Sequence, residues 1–303
     1  MDAAGKTKSL LPPTGELGPR VSPDGKQLAV MLRSPKWDIK VYDLQRGTPT
    51  QITFNRAVSS FRPPGLPTWT PDSRHIVYRS GDSIQWIRAD GAGESQIVVK
   101  DQSAPTPYSF SPDGKRLAYF AWAGETPDLF TIALDISDAE HPKPGKPEVF
   151  LQTPASEMHP AFSPNGRWIA YQSDDSGVSE IWVRPFSTSG RPAGKWKVSE
   201  GGGGFPVWSK AGRQLLYKKR DGVVMLVDYE ETADSFHPRS TRPWPGIVST
   251  GVDLGPHFDL APDGKRLVIK GDFTERDERK VNLHATMMLN WFDEVRRRVP
   301  VRK

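Results

Sequence analysis

The sequence contains no cysteine, so disulfide bonds neither stabilise the chain nor indicate its redox compartment. No apolar run approaches the roughly 20 residues that a membrane-spanning helix needs, and the first residues, MDAAGKTKSLL, lack the hydrophobic segment of a secretory signal. The kinase signatures H-R-D-x-x-x-x-N, D-F-G and V-A-I-K are also missing. We therefore expect no membrane insertion by this chain and no kinase activity, while its compartment stays open.

Charge of one sign is not concentrated. The net charge of +5 is mild for 303 residues, and the dense basic run is confined to Arg296–Arg298 with Arg302 and Lys303 at the end. A nucleic-acid interface needs basic residues clustered on one face. We expect no nucleic-acid partner.

One phrase recurs six times at a spacing of about 40–50 residues, which is typical of a propeller or a repeat array. The copies are VSPDGKQLAV at 21–30, WTPDSRHIVY at 69–78, FSPDGKRLAY at 110–119, FSPNGRWIAY at 162–171, WSKAGRQLLY at 208–217 and LAPDGKRLVI at 260–269. Pro, Asp and Gly form a tight turn between two apolar stretches, which predicts a strand, a turn and a second strand. Two further stretches follow each copy, so each repeat predicts four strands.

Six such repeats predict an all-β fold, a six-bladed propeller of four-stranded antiparallel blades. A ring needs its last blade completed by both ends of the chain. We expect residues 7–11 to supply the closing strand and residues 284–291 to supply another strand of that blade, followed by a short helix and basic tail over 292–303. In the fifth repeat the outermost strand is predicted over Ser240–Val248, although Pro243 and Pro245 interrupt it. The chain is then one domain, residues 1–303, and we expect a monomer.

The hairpins match S-P-D-G-[KR]-x-[IL]-A in the first, third and fourth repeats, apart from Asn165 in place of Asp. At these segments the chain resembles the TolB-like family of six-bladed propellers. PAFSPNGRWIAYQSDDSGVSEIWVRPF and MMLNWFDEVRRRVP look like the propeller attached behind the kinase domain of some bacterial, notably acidobacterial, serine/threonine kinases. The resemblance implies a binding or sensor module for a protein or small-molecule ligand. It also implies an extracytoplasmic location if the chain is an excised domain.

Histidines occupy equivalent repeat positions in the fourth and sixth repeats, His159 and His257, at the start of the innermost strands. A sixfold ring places them across the central channel, with Glu157, Asp253 and Asp259 near them in sequence. Imidazole and carboxylate groups suit a divalent metal ion, and the same groups suit proton transfer. Another interpretation is that both histidines bind channel water or cap the backbone. No H-E-x-x-H or G-x-S-x-G segment supports a specific reaction.

Two other features suggest ligand binding. Arg20 lies at the innermost strand of the first repeat, where it would hold an anion or pair with a neighbouring carboxylate. Gly203 and Gly204 end a run of four glycines before the fifth repeat, whose backbone N–H groups could hold an anion; a flexible connection explains the run equally.

These observations leave two functions. In the first, the propeller is a scaffold that binds a protein, a peptide or a small ligand at the channel mouth. In the second, it is a hydrolase or lyase of an ester, lactone, phosphoester or uronide, using the His and carboxylate cluster with or without a metal ion.

Overall fold

The computed structural model describes residues 6–10, 16–32, 38–54, 66–187, 194–244, 258–271 and 284–289. Their regular secondary structure is β-strand. In chain order the strands are β1 (Lys6–Ser9), β2 (Glu16–Val21), β3 (Gln27–Leu32), β4 (Asp38–Asp43), β5 (Pro49–Gln51), β6 (Thr68–Trp69), β7 (His75–Ser80), β8 (Ser83–Arg88), β9 (Gln96–Lys100), β10 (Thr106–Phe110), β11 (Arg116–Ala121), β12 (Asp128–Asp135), β13 (Lys143–Leu151), β14 (Glu157–Phe162), β15 (Trp168–Ser173), β16 (Glu180–Pro185), β17 (Trp196–Lys197), β18 (Gly204–Trp208), β19 (Gln214–Lys218), β20 (Val224–Glu231), β21 (Phe236–Pro243), β22 (Phe258–Leu260), β23 (Leu267–Gly271) and β24 (His284–Leu289).

The strands form four-stranded antiparallel sheets, six of them within the described ranges. Sheets 1 to 5 are β2–β5, β6–β9, β10–β13, β14–β17 and β18–β21, each hydrogen-bonded in chain order. Sheet 6 has the order β1-β24-β23-β22, and Thr7 of β1 lies opposite Met288 of β24. The outer strand of sheet 6 therefore comes from the other end of the chain.

The sheets follow one another around a common axis. The first strand of each sheet contacts the first strand of the next sheet, and β22 contacts β2. A buried apolar cluster also lies between each neighbouring pair of sheets, including sheets 6 and 1, where Val268 packs with Leu28 and Val30. The predicted all-β propeller of small four-stranded antiparallel sheets is confirmed.

The second strand of each repeat is apolar at successive residues because it is buried on both faces. In β3, Ala29 packs in the cluster that includes Trp69 of sheet 2, whereas Val30 packs in the cluster that includes Val268 of sheet 6. Alternate side chains of a strand point to opposite faces. Alternating polar residues here would place a polar group in one of the two interfaces, so the strand reads as a continuous apolar run.

Hydrogen bonds explain the repeated turn. In the first copy, Ser22 Oγ donates to Asp24 Oδ1 at 2.6 Å, and the same oxygen accepts the Lys26 N–H at 3.0 Å. Gly25 adopts φ 73°, and its N–H donates to the Ser22 carbonyl at 2.8 Å. Left-handed backbone of this kind favours glycine, so Ser, Asp and Gly each have a distinct role in this copy of the turn.

The outermost strand of sheet 5 differs from the prediction. It was expected over Ser240–Val248, but β21 begins at Phe236 and ends at Pro243. Phe236 is fully buried between sheets 4 and 5, and this anchor draws the strand toward the N-terminus, ahead of the second proline. The helix and tail predicted over 292–303 lie outside the described residues. In the ranges described, no helix has the length and apolar character needed to cross a membrane.

Candidate binding site in the central channel

The residue two places before the Ser, Thr or Ala of each turn lies on the central channel. These six residues are Arg20, Thr68, Ser109, Ala161, Val207 and Asp259. They line a cavity of about 570 Å³ that opens at the end of the channel formed by the hairpin turns. Pro23, Pro71, Pro112 and Pro164 lie at its rim. We call this the hairpin-side cavity; it lies at the opposite end of the innermost strands from His159.

Arg20 and Asp259 form a buried ion pair at the wall of the hairpin-side cavity. Arg20 Nη1 lies 3.7 Å from Asp259 Oδ1, and Asp259 Oδ2 accepts the Val21 N–H at 2.8 Å. The two residues are only 8% and 9% exposed. Burial raises the pKa of Asp259, while the Arg20 charge acts in the opposite direction. Arg20 Nη2 is buried and makes no hydrogen bond with the described residues.

Tyr108 extends across the channel beside this pair. Its ring centroid lies 5.1 Å from Arg20 Cζ, and its hydroxyl donates to the Pro206 carbonyl at 3.4 Å. Burial raises the pKa of Tyr108, so the hydroxyl stays protonated at neutral pH. The ring also lies 5.2 Å from the His159 ring. Tyr108 lines the cavity and also contacts His159, so it lies between the hairpin-side cavity and His159.

His159 lies in an aromatic compartment beyond Tyr108. Its ring centroid is 4.4 Å from Phe205 and 5.3 Å from Phe120. Nδ1 lies 3.0 Å from Oε1 of Gln172, and since an amide oxygen only accepts, Nδ1 carries the donated proton. Burial lowers the pKa of His159 to about 4, and the positive charge of Arg20 lowers it further, while Gln172 opposes the shift. The imidazole is therefore neutral at neutral pH.

The backbone places His159 there through a bulge. The register of β14 on β15 shifts between Met158 and Ala161, and His159 has φ 58°. Gly18 and Phe205 occupy the equivalent position in sheets 1 and 5, with φ 59° and 58°. The bulge therefore recurs in sheets 1, 4 and 5, and His159 is an uncommon non-glycine residue in left-handed backbone.

Glu157 points to a different environment from His159. Its Oε1 accepts from Thr153 Oγ1 at 2.5 Å, and its Oε2 makes no hydrogen bond within the part of the chain that the structure describes. Burial raises its pKa, with a contribution from Asp128. The predicted cluster also named Asp259, which pairs with Arg20, and His257 and Asp253, which lie outside the described residues. Among the residues that the structure describes, no group of three or more His, Asp or Glu side chains could hold a metal ion.

The glycine run holds groups of the protein itself. The Gly202 N–H donates to Glu180 Oε2 at 3.2 Å, and the Gly203 N–H donates to the Ser179 carbonyl at 2.8 Å. A Cβ atom on Gly204 would lie 2.6 Å from Oε1 of Gln172. Gly204 therefore makes room for the amide that orients His159, and the Gly203 N–H is already bonded to the protein itself.

Sequence reasoning missed Lys210, Tyr108 and the ring of channel-lining residues. Lys210 lines the hairpin-side cavity at the position where the other repeats have proline. Burial lowers its pKa, and Asp259 opposes this shift. Two sequence signals could have revealed these residues. Aligning the six repeats and reading the residue two places before each turn gives the channel ring. The lysine at the position of the recurring proline distinguishes the fifth repeat.

Two tryptophans join neighbouring sheets around the cavity. Trp69 Nε1 donates to the Arg20 carbonyl, and Trp208 Nε1 donates to the Ala161 carbonyl, both at 2.9 Å. Both tryptophans line the hairpin-side cavity, as do Phe110 and Phe162. The walls are therefore largely apolar and held in place, and the charged groups are Arg20, Asp259 and Lys210.

Comparison with known proteins identifies the fold. The chain is 30% identical over 223 residues to the Tol-Pal system protein TolB of Bordetella pertussis, a match that covers 69% of this chain and 46% of TolB. It is 25% identical over 199 residues to the uncharacterized peptidase YuxL of Bacillus subtilis, covering 56% of this chain and 30% of YuxL. These matches span less than half the length of either relative. No family model matches.

Solved structures agree with the relatives. A structure described as TolB from Agrobacterium tumefaciens superposes with a TM-score of 0.59 at 18% identity, covering 90% of both chains. An oligogalacturonate lyase in complex with manganese gives a TM-score of 0.61 at 15% identity, covering 95% of this chain and 100% of the lyase. Together with the sheets described above, these similarities show a TolB-like β-propeller fold.

Proposed function

We propose that the six sheets are the blades of one closed ring that acts as a binding scaffold, holding a protein, a peptide or a small ligand in the hairpin-side cavity. The observation that carries this proposal is the cavity itself, about 570 Å³ with fixed apolar walls and a few charged groups. Binding sites are typically concave and mostly apolar, with a small number of placed polar groups. Its relatives named TolB belong to a Tol-Pal system, which favours a protein or peptide as the ligand.

The proposal has a narrower form. The segments that resemble the propellers of bacterial serine/threonine kinases suggest that the scaffold is the sensor part of such a protein. An in-frame kinase domain and membrane segment upstream of residue 1 in the gene would support this form. A gene that encodes the propeller without them would contradict it and would leave the binding scaffold untouched.

Blocking the cavity tests the scaffold. Val207 lines it and is partly exposed, so the larger side chain of Val207→Trp would fill the space. A library of small molecules and short peptides would be screened by ligand-observed NMR against the wild type and this variant. The matched control is Val178→Trp, since Val178 is an exposed residue that does not line the cavity. We expect ligands that lose binding to Val207→Trp alone; ligands that bind all three proteins equally would contradict the proposal.

The second candidate function is a metal-assisted lyase or hydrolase on the opposite side of Tyr108. It is favoured by the structural similarity to a manganese-bound oligogalacturonate lyase and by the neutral imidazole of His159. A neutral imidazole is a suitable metal ligand and general base. The cluster proposed for this chemistry needs His257, because the described contacts of His159 are an amide and three aromatic rings.

Metal content and activity test this candidate. The purified chain would be analysed for bound metal and assayed on oligogalacturonate and simple esters with and without added manganese. Activity that a chelator abolishes, and that His159→Asn also abolishes, would support the enzyme. Activity that survives in His159→Asn, or none on either substrate, would contradict it.

A further inference from the structure

We infer that the hairpin-side cavity is selective for a carboxylate attached to an apolar body, with the carboxylate held by Arg20 and Lys210. This inference rests on the proposed function and names its ligand class. It is carried by a buried guanidinium with one nitrogen left unbonded by the described residues, in a cavity whose walls are largely apolar.

Arg20 supplies the first part of the site. It lines the cavity, it is only 8% exposed, and Nη2 has no hydrogen bond with the described residues. Its ion pair with Asp259 is long at 3.7 Å and uses Nη1. A guanidinium presents its N–H groups in a fixed fork that matches a carboxylate. An unbonded nitrogen of this kind is unfavourable in a protein interior, and an incoming carboxylate would satisfy it.

Lys210 supplies the second part. Five repeats have proline at this position, at residues 23, 71, 112, 164 and 262, and only the fifth repeat has a cation. Lys210 therefore adds a single positive charge to a rim otherwise made of proline rings. With Asp259 ionised the three charged groups of the cavity sum to +1, which suits a monoanion and opposes a cation.

The walls determine the rest of the ligand. Trp69, Phe110, Phe162 and Trp208 surround the cavity with aromatic surface, and the channel ring is apolar at Ala161 and Val207. A small hydrophilic anion such as inorganic phosphate would leave this surface in contact with water. A carboxylic acid with an aromatic or aliphatic body would cover it, and the contact would strengthen the charge interaction by excluding water.

Three probes of one shape isolate the charge: phenylacetate, its neutral analogue phenylacetamide, and the cation phenethylamine. Binding would be measured by calorimetry at low and high salt. We expect phenylacetate to bind at least about tenfold more tightly than the amide at low salt, with the preference reduced at high salt and little binding of the amine. Inorganic phosphate serves as a fourth probe and is expected to bind weakly.

The variant Lys210→Gln removes the positive charge at the rim and leaves both residues of the buried pair, Arg20 and Asp259, in place. Lys115→Gln is the matched control, because Lys115 is an exposed residue of the third hairpin turn and does not line the cavity. Lys210→Gln should weaken the binding of phenylacetate by roughly three- to tenfold and leave the binding of phenylacetamide unchanged. Lys115→Gln should change the binding of neither probe. Lys210→Pro, which restores the residue of the other repeats, should behave as Lys210→Gln does.

The ligand class has two natural sources, a small organic acid and the C-terminus of a peptide. Tetrapeptides ending in phenylalanine, with a free or an amidated C-terminus, distinguish them from phenylacetate. Tighter binding of the free peptide than of phenylacetate identifies a peptide ligand, and binding of phenylacetate alone identifies a small acid; either supports the inference.

The possible results distinguish the inference of carboxylate selectivity from the proposed binding function on which it rests. If amide and carboxylate bind equally and Val207→Trp abolishes both, the cavity is a binding site and the inference of carboxylate selectivity is wrong. If phosphate or the amine binds best, it is also wrong. If no probe binds at up to about 10 mM, the inference is wrong, and the NMR screen with Val207→Trp decides independently whether the cavity binds anything else.

Discussion

The guanidinium carbon of Arg20 lies 5.1 Å from the centroid of the Tyr108 ring, although the two residues come from sheets 1 and 3. Between them they cross the central channel, and Asp259 of sheet 6 completes the group. Arg20 and Tyr108 therefore lie between two regions of the channel. One is the hairpin-side cavity, and the other contains His159.

The buried pair should behave as a coupled unit. Arg20→Met leaves Asp259 buried without its cation and should lower the free energy of unfolding by about 3–5 kcal/mol. The double variant Arg20→Met with Asp259→Leu should recover most of this loss, because no uncompensated charge remains. Urea denaturation of the single and double variants measures the effect. The exposed pair Arg239 and Glu230 gives the control, and Arg239→Met should change stability little; equal stability of the single and double channel variants would contradict the expectation.

Removing the Tyr108 ring should expose His159 to water from the hairpin-side cavity. Burial holds the pKa of His159 at about 4, so Tyr108→Leu should raise this pKa toward the ordinary value, while Tyr108→Phe, which keeps the ring, should leave it near 4. Imidazole resonances followed by NMR titration report the pKa directly. An unchanged pKa in Tyr108→Leu would show that the ring does not separate the compartments.

The same histidine should make stability depend on pH. The pKa of His159 is about 4 in the folded protein and 6.5 when unperturbed, so on acidification the unfolded chain takes up the proton first. The neutral, buried imidazole therefore contributes on the order of 3 kcal/mol to the free energy of unfolding above pH 6.5. This contribution is lost as the pH falls from 6.5 through 4. Burial also lowers the pKa of His75. Protonation of His75 on acidification should therefore reduce the stability of the folded protein as well.

Comparing unfolding midpoints of the wild type and His159→Asn between pH 7 and pH 4 isolates the contribution of His159. Asparagine tolerates left-handed backbone, so the replacement keeps the bulge. The variant should show a shallower fall that retains the part due to His75. Identical slopes in the two proteins would contradict the assignment.

The left-handed backbone at His159 predicts an unusual order of stability for substitutions at this position. At φ 58° an alanine carries the strain of left-handed backbone, roughly 1–2 kcal/mol, and a glycine does not. We therefore expect His159→Ala to be less stable than His159→Gly by about 1 kcal/mol, after allowing for the greater freedom of glycine in the unfolded chain. Chemical denaturation of both variants is sufficient. Greater stability of the alanine variant would mean that the bulge relaxes.

Much of the fold was predictable because each repeat encodes its turn and inner strands in a short stretch of sequence. The first four hairpins share the side-chain hydrogen bond seen between Ser22 and Asp24. The second strands are apolar because both of their faces are buried, so the turns and inner strands follow from the sequence. The outer strand of sheet 5 was misplaced because its position depends on Phe236, whose burial between two sheets is a tertiary contact. Local proline positions could not reveal it.

The site was less predictable for a related reason. Sequence spacing singled out Arg20 as a residue that would hold an anion or pair with a neighbouring carboxylate, and in the structure Arg20 pairs with Asp259. It placed Glu157 and His159 in one cluster because they are two residues apart, yet a bulge separates their environments. Tyr108 could not be found by repeat equivalence, because its role depends on reaching across the channel to sheet 5.

The central claim is that the channel is divided at Arg20 and Tyr108 and binds its ligand on the hairpin side. A crystal structure of the protein soaked with phenylacetate tests this most directly. We predict density for the probe between Trp69 and Trp208, with its carboxylate about 3 Å from Arg20 Nη2 or Lys210 Nζ. Density beside His159 instead, or a channel open from one face to the other, would contradict the account.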